Sequence, residues 1–109
     1  MTAVLPITIT RFADESQPGW VECELSDAFG RLHRFTEKVP IVSIEDLRKE
    51  SSYPCSGNIT CEIISEWVDE EDSALSKVNT SRPHGIESMD GVTQFTVPSA
   101  LLSRNVLLS

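Results

Sequence analysis

The sequence has few of the residues and motifs on which specialised small proteins depend. Three cysteines among 109 residues are too few for a disulfide-rich scaffold, and their spacing contains no C-x-x-C pair. No apolar run approaches the roughly 20 residues that cross a bilayer. A Gly-rich phosphate loop, a serine nucleophile elbow and an H-E-x-x-H motif are all missing. The sequence therefore gives no support to nucleotide-binding, serine-hydrolase or zinc-protease chemistry.

Positive charge is also scarce. The chain carries 9 basic and 17 acidic residues, a net charge of −8. Because contact with nucleic-acid phosphates calls for a basic surface, we expect no nucleic-acid partner. Residues 1–12 alternate in polarity and form no continuous apolar block, so we expect no secretion signal and no membrane association. These features predict a soluble, cytoplasmic, single domain over residues 1–109.

Residue types favour strands. Val, Ile and Thr together number 25, whereas Ala numbers 5. Side chains branched at Cβ suit a pleated strand better than a helix. Turn signals recur at residues 17–19, 27–30, 53–57, 69–73, 82–85 and 90–91. This pattern predicts an all-β small barrel or roll of six to seven mostly antiparallel strands with one short helix, and an open sandwich is the alternative.

The clearest hairpin covers residues 20–38. Asp27 suits the first position of a type I turn, and Gly30 suits the left-handed residue that closes a three-residue loop. The turn sets the register, because it fixes which residues lie opposite each other. It pairs Cys23 with Phe35, Leu25 with His33, Glu24 with Arg34 and Trp20 with Lys38.

Other segments are assigned from alternation and turn chemistry. We expect strands over residues 5–13, 59–68 and 74–80. In the second of these, Trp67 shares the apolar side with Ile59, and Glu66 lies on the other side. A hairpin over residues 86–97, turning at 90–91, places Ile86 opposite Phe95.

Two further segments lie between and after these strands. Residues 43–50 predict a short helix that Ser43 caps, with Ile44 and Leu47 docking on the sheet. Residues 99–109 contain two Leu-Leu pairs without a clear period. They fit a short helix or a final edge strand, and the sequence does not decide between these.

Acidic residues concentrate in one part of the chain. Residues 50–76 contain seven acids and no base, with the densest run at Asp69, Glu70, Glu71 and Asp72. The run lacks the Asp-x-Asp-x-Asp-Gly spacing of a calcium loop. A turn tip also directs carboxylates into water and does not converge them in a cleft. The run is therefore either a solvated tip or a docking surface for a basic partner.

Few residues offer catalytic chemistry. Cys23 and Cys61 fall on apolar faces, where we expect them buried and reduced, while Cys55 in a loop is the candidate reactive thiol. A catalytic cysteine needs a nearby base. His33 on an inward position and His84 in a polar turn are the available bases, and the sequence places neither beside Cys55. We expect no catalytic residue, metal or cofactor.

Trp20 is a second candidate for partner binding. It lies on the charged face of its strand, where an exposed tryptophan is a frequent interaction hot spot. The alternative is that Trp20 covers the hairpin against the stem of Lys38.

A resemblance covers about a third of the chain. The stretch Gly19-Trp20-Val21-Glu22-Cys23, the stretch Glu37-Lys38-Val39-Pro40 and the later Tyr53-Pro54-Cys55 resemble small uncharacterised bacterial all-β proteins. The resemblance carries no catalytic motif. It implies a bacterial, free-standing domain and no particular activity.

Two functional hypotheses follow. The first is a non-catalytic protein-interaction module, for example an acidic immunity-like or inhibitor-like protein that binds a basic protein through Trp20 or the acidic run. The second is a small enzyme or ligand-binding barrel with a pocket near Cys55, His33 and His84. A filled interior favours the first hypothesis, and a pocket with converging polar groups favours the second.

Overall fold

Among the residues that the structure describes, seven strands form one curled sheet that makes a half-barrel. A computed structural model of the protein describes residues 1–104. The strands are β1 (Thr2–Asp14), β2 (Trp20–Ser26), β3 (Leu32–Lys38), β4 (Cys55–Val68), β5 (Ala74–Asn79), β6 (Gln94–Pro98) and β7 (Ser103–Arg104). Their order is β3-β2-β1-β4-β5-β6, all paired antiparallel, and β7 pairs with the start of β1. The predicted all-β fold and strand number are confirmed, with a single curled sheet in place of a sandwich.

The inside of the curl is filled by alternate residues of the central strands. Along β1 the buried positions are Ala3, Leu5, Ile7 and Ile9, which follow the two-residue period of a strand. Ile9 lies opposite Cys23 of β2 on one side and opposite Cys55 of β4 on the other. The core is thus continuous across neighbouring strands.

Loops bring the two edges of the sheet together. The Ala28 N–H, between β2 and β3, donates to the Thr96 carbonyl of β6 at 2.8 Å. The Met89 N–H donates to the Arg34 carbonyl of β3, also at 2.8 Å. Below this seam the Phe35 ring packs against Phe95, with centroids 5.7 Å apart. The two edge strands, β3 and β6, therefore share one core although they do not form a ladder.

The β2–β3 hairpin is confirmed in detail. Gly30 has φ +79°, in the left-handed region that favours glycine. The four predicted pairs are all present: Cys23 with Phe35, Leu25 with His33, Glu24 with Arg34 and Trp20 with Lys38. Local turn chemistry was sufficient here because the turn alone sets the register.

The predicted helix over residues 43–50 is wrong. The segment is irregular, and the only α-helix in residues 1–104 is α1 (Val39–Val42). The Ser43 hydroxyl oxygen accepts the Glu45 N–H at 3.0 Å, a local bond that competes with helix formation. A helix of this length is also marginal without packing. Leu47 is buried as expected, but Ile44 is fully exposed.

Helix α1 directly follows β3 and approaches the sheet at Gly57. A Cβ at Gly57 would lie 2.9 Å from the Val42 carbonyl oxygen and 2.6 Å from the Ile9 side chain. Only glycine admits this contact without a shift of its neighbours. The approach buries Val42 against the core.

The predicted hairpin over residues 86–97 is wrong in its first strand. Residues 86–89 form no strand, and Phe95 pairs with Val78, not with Ile86. The Ile86 N–H donates instead to the Thr80 carbonyl at 3.0 Å. The turn itself exists at residues 88–92, with Gly91 at φ +80°. The segment cannot run beside β6 as a ladder because Met89 forms the seam to β3.

The tail was predicted to be either a short helix or an edge strand, and its described part contains a short piece of each. A 3-10 turn, Ser99–Leu101, precedes the two-residue strand β7. Residues 105–109 lie outside the described residues.

Candidate functional site

A β-bulge in β4 changes which of its side chains face the core and which face outward. The register with β5 shifts between Ile63 and Ser65, so one additional residue is accommodated. Beyond the bulge the two faces of the strand exchange. Trp67, predicted in the core, therefore lies on the outer face and is 40% exposed. Glu66 was predicted on the outer face. It lies opposite Ser76 and shares the inner face of the sheet with that buried residue.

Strand β4 extends beyond β1 and forms an arm with β5. The ladder between β1 and β4 ends at the pair Thr2 and Glu62, six residues before β4 ends at Val68. We call residues 64–77 the β4–β5 arm. Three large apolar side chains on it are exposed: Ile64 (47%), Trp67 and Val68 (61%).

The acidic run forms the tip of this arm. The Asp69 N–H donates to the Ser73 carbonyl, and one carboxylate oxygen of Asp69 accepts the N–H groups of Glu71 and Ser73, both at 2.9 Å. Asp69 thus organises the turn. Glu70, Glu71 and Asp72 are exposed, and no ion pair within residues 1–104 involves them. Their charges are available to a partner.

A polar cluster anchors the base of the arm. The Ser76 hydroxyl donates to the Glu66 carboxylate at 3.4 Å and lies 2.6 Å from the Ser99 hydroxyl. The Arg104 guanidinium forms an ion pair with the same Glu66 carboxylate. Because the Arg104 guanidinium neutralises the charge of Glu66, the negative charge of the arm is concentrated at its tip.

Trp20 lies away from the acidic tip. It pairs with Asp14 at the far end of β1, while the tip extends beyond the opposite end of that strand. β1 has 13 residues and so spans about 40 Å. Trp20 is half-buried, with the Lys38 Nζ 5.7 Å from its ring centroid. A partner role for Trp20 stays a prediction, and a small epitope cannot contact both features.

The residues of the rival hypothesis have separate surroundings. His33 Nε2 lies 2.9 Å from an Asp27 carboxylate oxygen, and its ring packs edge-on against Phe95. His84 is exposed in a turn. Two open concavities of about 400 and 370 Å³ are lined by other residues. Within residues 1–104, no group of three His, Cys, Asp or Glu side chains could hold a metal ion.

The three thiols differ in burial. Cys23 and Cys61 are buried, as expected, and burial raises their pKa values to about 12 and about 11. Cys55 is the first residue of β4 and not a loop residue as predicted. It is half-buried, and partial burial raises its pKa as well. Its faster reaction with thiol reagents stays a prediction based on access alone.

Asp27 has a role that the turn pattern did not indicate. One carboxylate oxygen accepts the N–H groups of Phe29 and Arg31, both at 2.9 Å, and the other contacts His33. Burial acts to raise the pKa of Asp27, but these hydrogen bonds outweigh it and lower the pKa. The sequence did contain a signal for the contact between Asp27 and His33. His33 follows Asp27 by six residues, and the register set by the turn places it opposite Leu25, close to Asp27.

Comparisons with known proteins add no assignment. No protein-family model, curated protein or solved structure matches this chain. The resemblance to small bacterial all-β proteins therefore stays an expectation. Among the residues that the structure describes, none belongs to a helix with the length and apolar character to span a membrane.

Proposed function

We propose that this protein is a non-catalytic interaction module that binds a basic protein through the β4–β5 arm. The observation that carries the proposal is the juxtaposition of exposed Ile64, Trp67 and Val68 with the unpaired acids Glu70, Glu71 and Asp72. An immunity-like or inhibitor-like protein is one form of this function.

The two components of the arm suit different stages of binding. Aromatic and apolar side chains supply contact area, and exposed tryptophan is enriched among interaction hot spots. Acidic groups that no base neutralises attract a basic surface over distances near the Debye length, about 8 Å at physiological salt. Like charges at one turn repel each other, so Glu70, Glu71 and Asp72 bring no gain in stability. The same negative charge supports the expectation that nucleic acid is not bound.

A pair of charge variants tests the proposal. Glu70→Lys with Glu71→Lys reverses the tip, and Glu15→Lys with Glu87→Lys makes the same change in net charge at exposed positions elsewhere. Affinity capture from the source cell, with mass spectrometry, should recover a basic protein with the wild type and the control pair. The tip pair should lose this protein. Equal recovery with all three proteins would contradict the proposal.

Association kinetics with the recovered protein provide a second test. The tip pair should associate more slowly than the control pair at low salt, and the difference should shrink as salt rises. On-rates that are equal at low salt would show that the tip is only a solvated turn.

A further inference from the structure

The outer backbone edge of the arm has no strand beside it. The last bond between β4 and the start of the chain is the Ile63 N–H donated to the Met1 carbonyl at 2.7 Å. Beyond it, Ile64 lies at the bulge, residues 65–68 pair with β5 on one side, and no strand of residues 1–104 pairs with the other side of residues 64–68. This edge spans about 16 Å, the length of an ordinary strand.

The ladder identifies which backbone groups face outward. The Asp69 N–H donates to the Ser73 carbonyl across the turn, so Asp69 faces β5. Backbone groups alternate in direction along an antiparallel strand. Trp67 therefore also faces β5, while the N–H and C=O groups of Glu66 and Val68 point to the open edge. These four groups are available to an incoming strand.

The charges and the exposed apolar side chains around the edge indicate which kind of segment can pair with it. A second copy paired antiparallel at this edge would place each acidic tip against the Glu62 region of the other chain, and such opposed like charges destabilise a strand pair. An extended segment that alternates basic and apolar residues meets no such repulsion. Its apolar side chains would contact Trp67 on the outer face, and its basic side chains would approach Glu70 and Glu71.

From this geometry we infer that the arm binds its basic partner by strand addition, in which an extended segment of alternating basic and apolar residues pairs with residues 64–68 of β4. This inference rests on the proposed function and names its binding mode. Main-chain hydrogen bonds to Glu66 and Val68 provide the pairing, and the exposed apolar and acidic side chains select the segment.

The probe is the synthetic peptide Lys-Val-Lys-Val-Lys-Val-Lys. Its matched control carries backbone N-methyl groups on the lysines. These residues lie opposite Glu66 and Val68 when the valines share the face of Trp67, so in an antiparallel pair their amides face β4, and the change removes these donors and retains charge. The unmodified peptide should bind and slow hydrogen exchange at the Glu66 and Val68 amides, while the N-methylated peptide should bind about tenfold more weakly. Equal affinity of the two peptides would overturn strand addition.

A protein variant tests the same edge from the other side. Val68→Pro removes an N–H that points to the open edge and takes no part in the β5 ladder, so we expect the fold to tolerate it. Val68→Thr is the control because it keeps the N–H. We expect the proline variant to lose about tenfold in peptide affinity and the threonine variant to stay close to the wild type. Circular dichroism confirms that both variants fold, and equal binding by both would overturn the inference.

The failure of this inference is distinguishable from failure of the proposed function. If Glu70→Lys with Glu71→Lys abolishes peptide binding while Val68→Pro and N-methylation have no effect, the charged tip binds but strand addition is wrong. If the peptide does not bind up to about 1 mM, strand addition is contradicted, whereas the proposed function is contradicted only by equal recovery of the basic protein with the tip pair and the control pair. Protection of the Glu66 and Val68 amides in the free protein would also overturn strand addition, because the edge would already be covered.

Discussion

Two hairpin tips in this protein have the same backbone and different surroundings. In residues 27–31 and in 69–73, the first N–H donates to the fifth carbonyl at 2.9 and 3.0 Å, and the first aspartate caps two N–H groups. Only the first tip continues into the fold. Its aspartate binds His33, and its Ala28 N–H reaches β6. In the second tip, residues 70–72 are exposed to solvent.

The residue in the left-handed position shows the same contrast. The first tip has Gly30 at φ +79°, whereas the second has Asp72 at φ +62°. A side chain in this region is strained, although aspartate tolerates it better than most residues. The first tip is therefore optimised for stability, while the second keeps a fourth acid at the expense of stability. The difference supports the proposal that Asp72, with Glu70 and Glu71, contributes to partner binding.

The largest predicted difference between the tips concerns their first residues. Asp27→Ala removes three hydrogen bonds from a nearly buried carboxylate and should lower the free energy of unfolding by about 1–3 kcal/mol. Asp69→Ala removes two exposed bonds and should cost less, about 1 kcal/mol. Urea unfolding measures both. Equal losses would mean that the first tip has no special structural role.

The Asp27 carboxylate also predicts a pH dependence. Its pKa is lowered from 3.8, so its stabilisation is complete above that value and is lost as the pH falls through the lower folded pKa. Below pH 3.8 the wild type should lose stability more steeply than Asp27→Asn. Urea midpoints recorded in acid provide the test, and identical pH profiles would contradict the assigned hydrogen bonds.

Gly30→Ala should lower the free energy of unfolding by about 1 kcal/mol. No atom lies within 4 Å of the added Cβ, so the cost arises from the backbone conformation alone. The urea midpoint should fall with no change in slope. An unchanged midpoint would exclude the left-handed turn at this position.

Asp72→Gly should act in the opposite direction. Glycine relieves the left-handed strain and removes one like charge, for a gain of up to about 1 kcal/mol, reduced by the greater freedom of glycine in the unfolded chain. Thermal unfolding at low salt is the measurement. A loss of stability would show that Asp72 makes a stabilising contact at the tip.

The smallest effect is expected at Glu70 and Glu71. Both are exposed and take part in no ion pair of residues 1–104, so Glu70→Gln with Glu71→Gln should change stability by less than about 0.5 kcal/mol. The same variant should slow association with a basic partner. Strong destabilisation would assign these acids to the fold.

Local chemistry explains which elements the sequence could predict. The β2–β3 hairpin followed from Asp27 and Gly30, because a tight turn determines both register and faces. The segment 43–50 and Ile86 could not be predicted in this way. Their conformations depend on the contact of α1 with Gly57 and on the Met89 bond to Arg34, which join parts of the chain distant in sequence.

Whether Trp67 belongs to the core or to the candidate site depends on a register shift of one residue in β4. Strict alternation from Ile59 placed Trp67 in the core, and the bulge after Ile63 moved it to the surface. The adjacent apolar pairs at residues 63–64 and 67–68 break strict alternation and were the available signal. The acidic tip itself was predictable, since charge and turn residues are local, but its extension beyond β1 required the full sheet topology.

Hydrogen exchange in the free protein tests the central contrast most directly. Ala28 and Met89 donate to carbonyls across the seam, whereas the Glu66 and Val68 amides face the open edge of the arm. We predict slow exchange at Ala28 and Met89 and exchange near the unprotected rate at Glu66 and Val68. Protection at Glu66 and Val68 equal to that at Ala28 and Met89 would contradict an open arm.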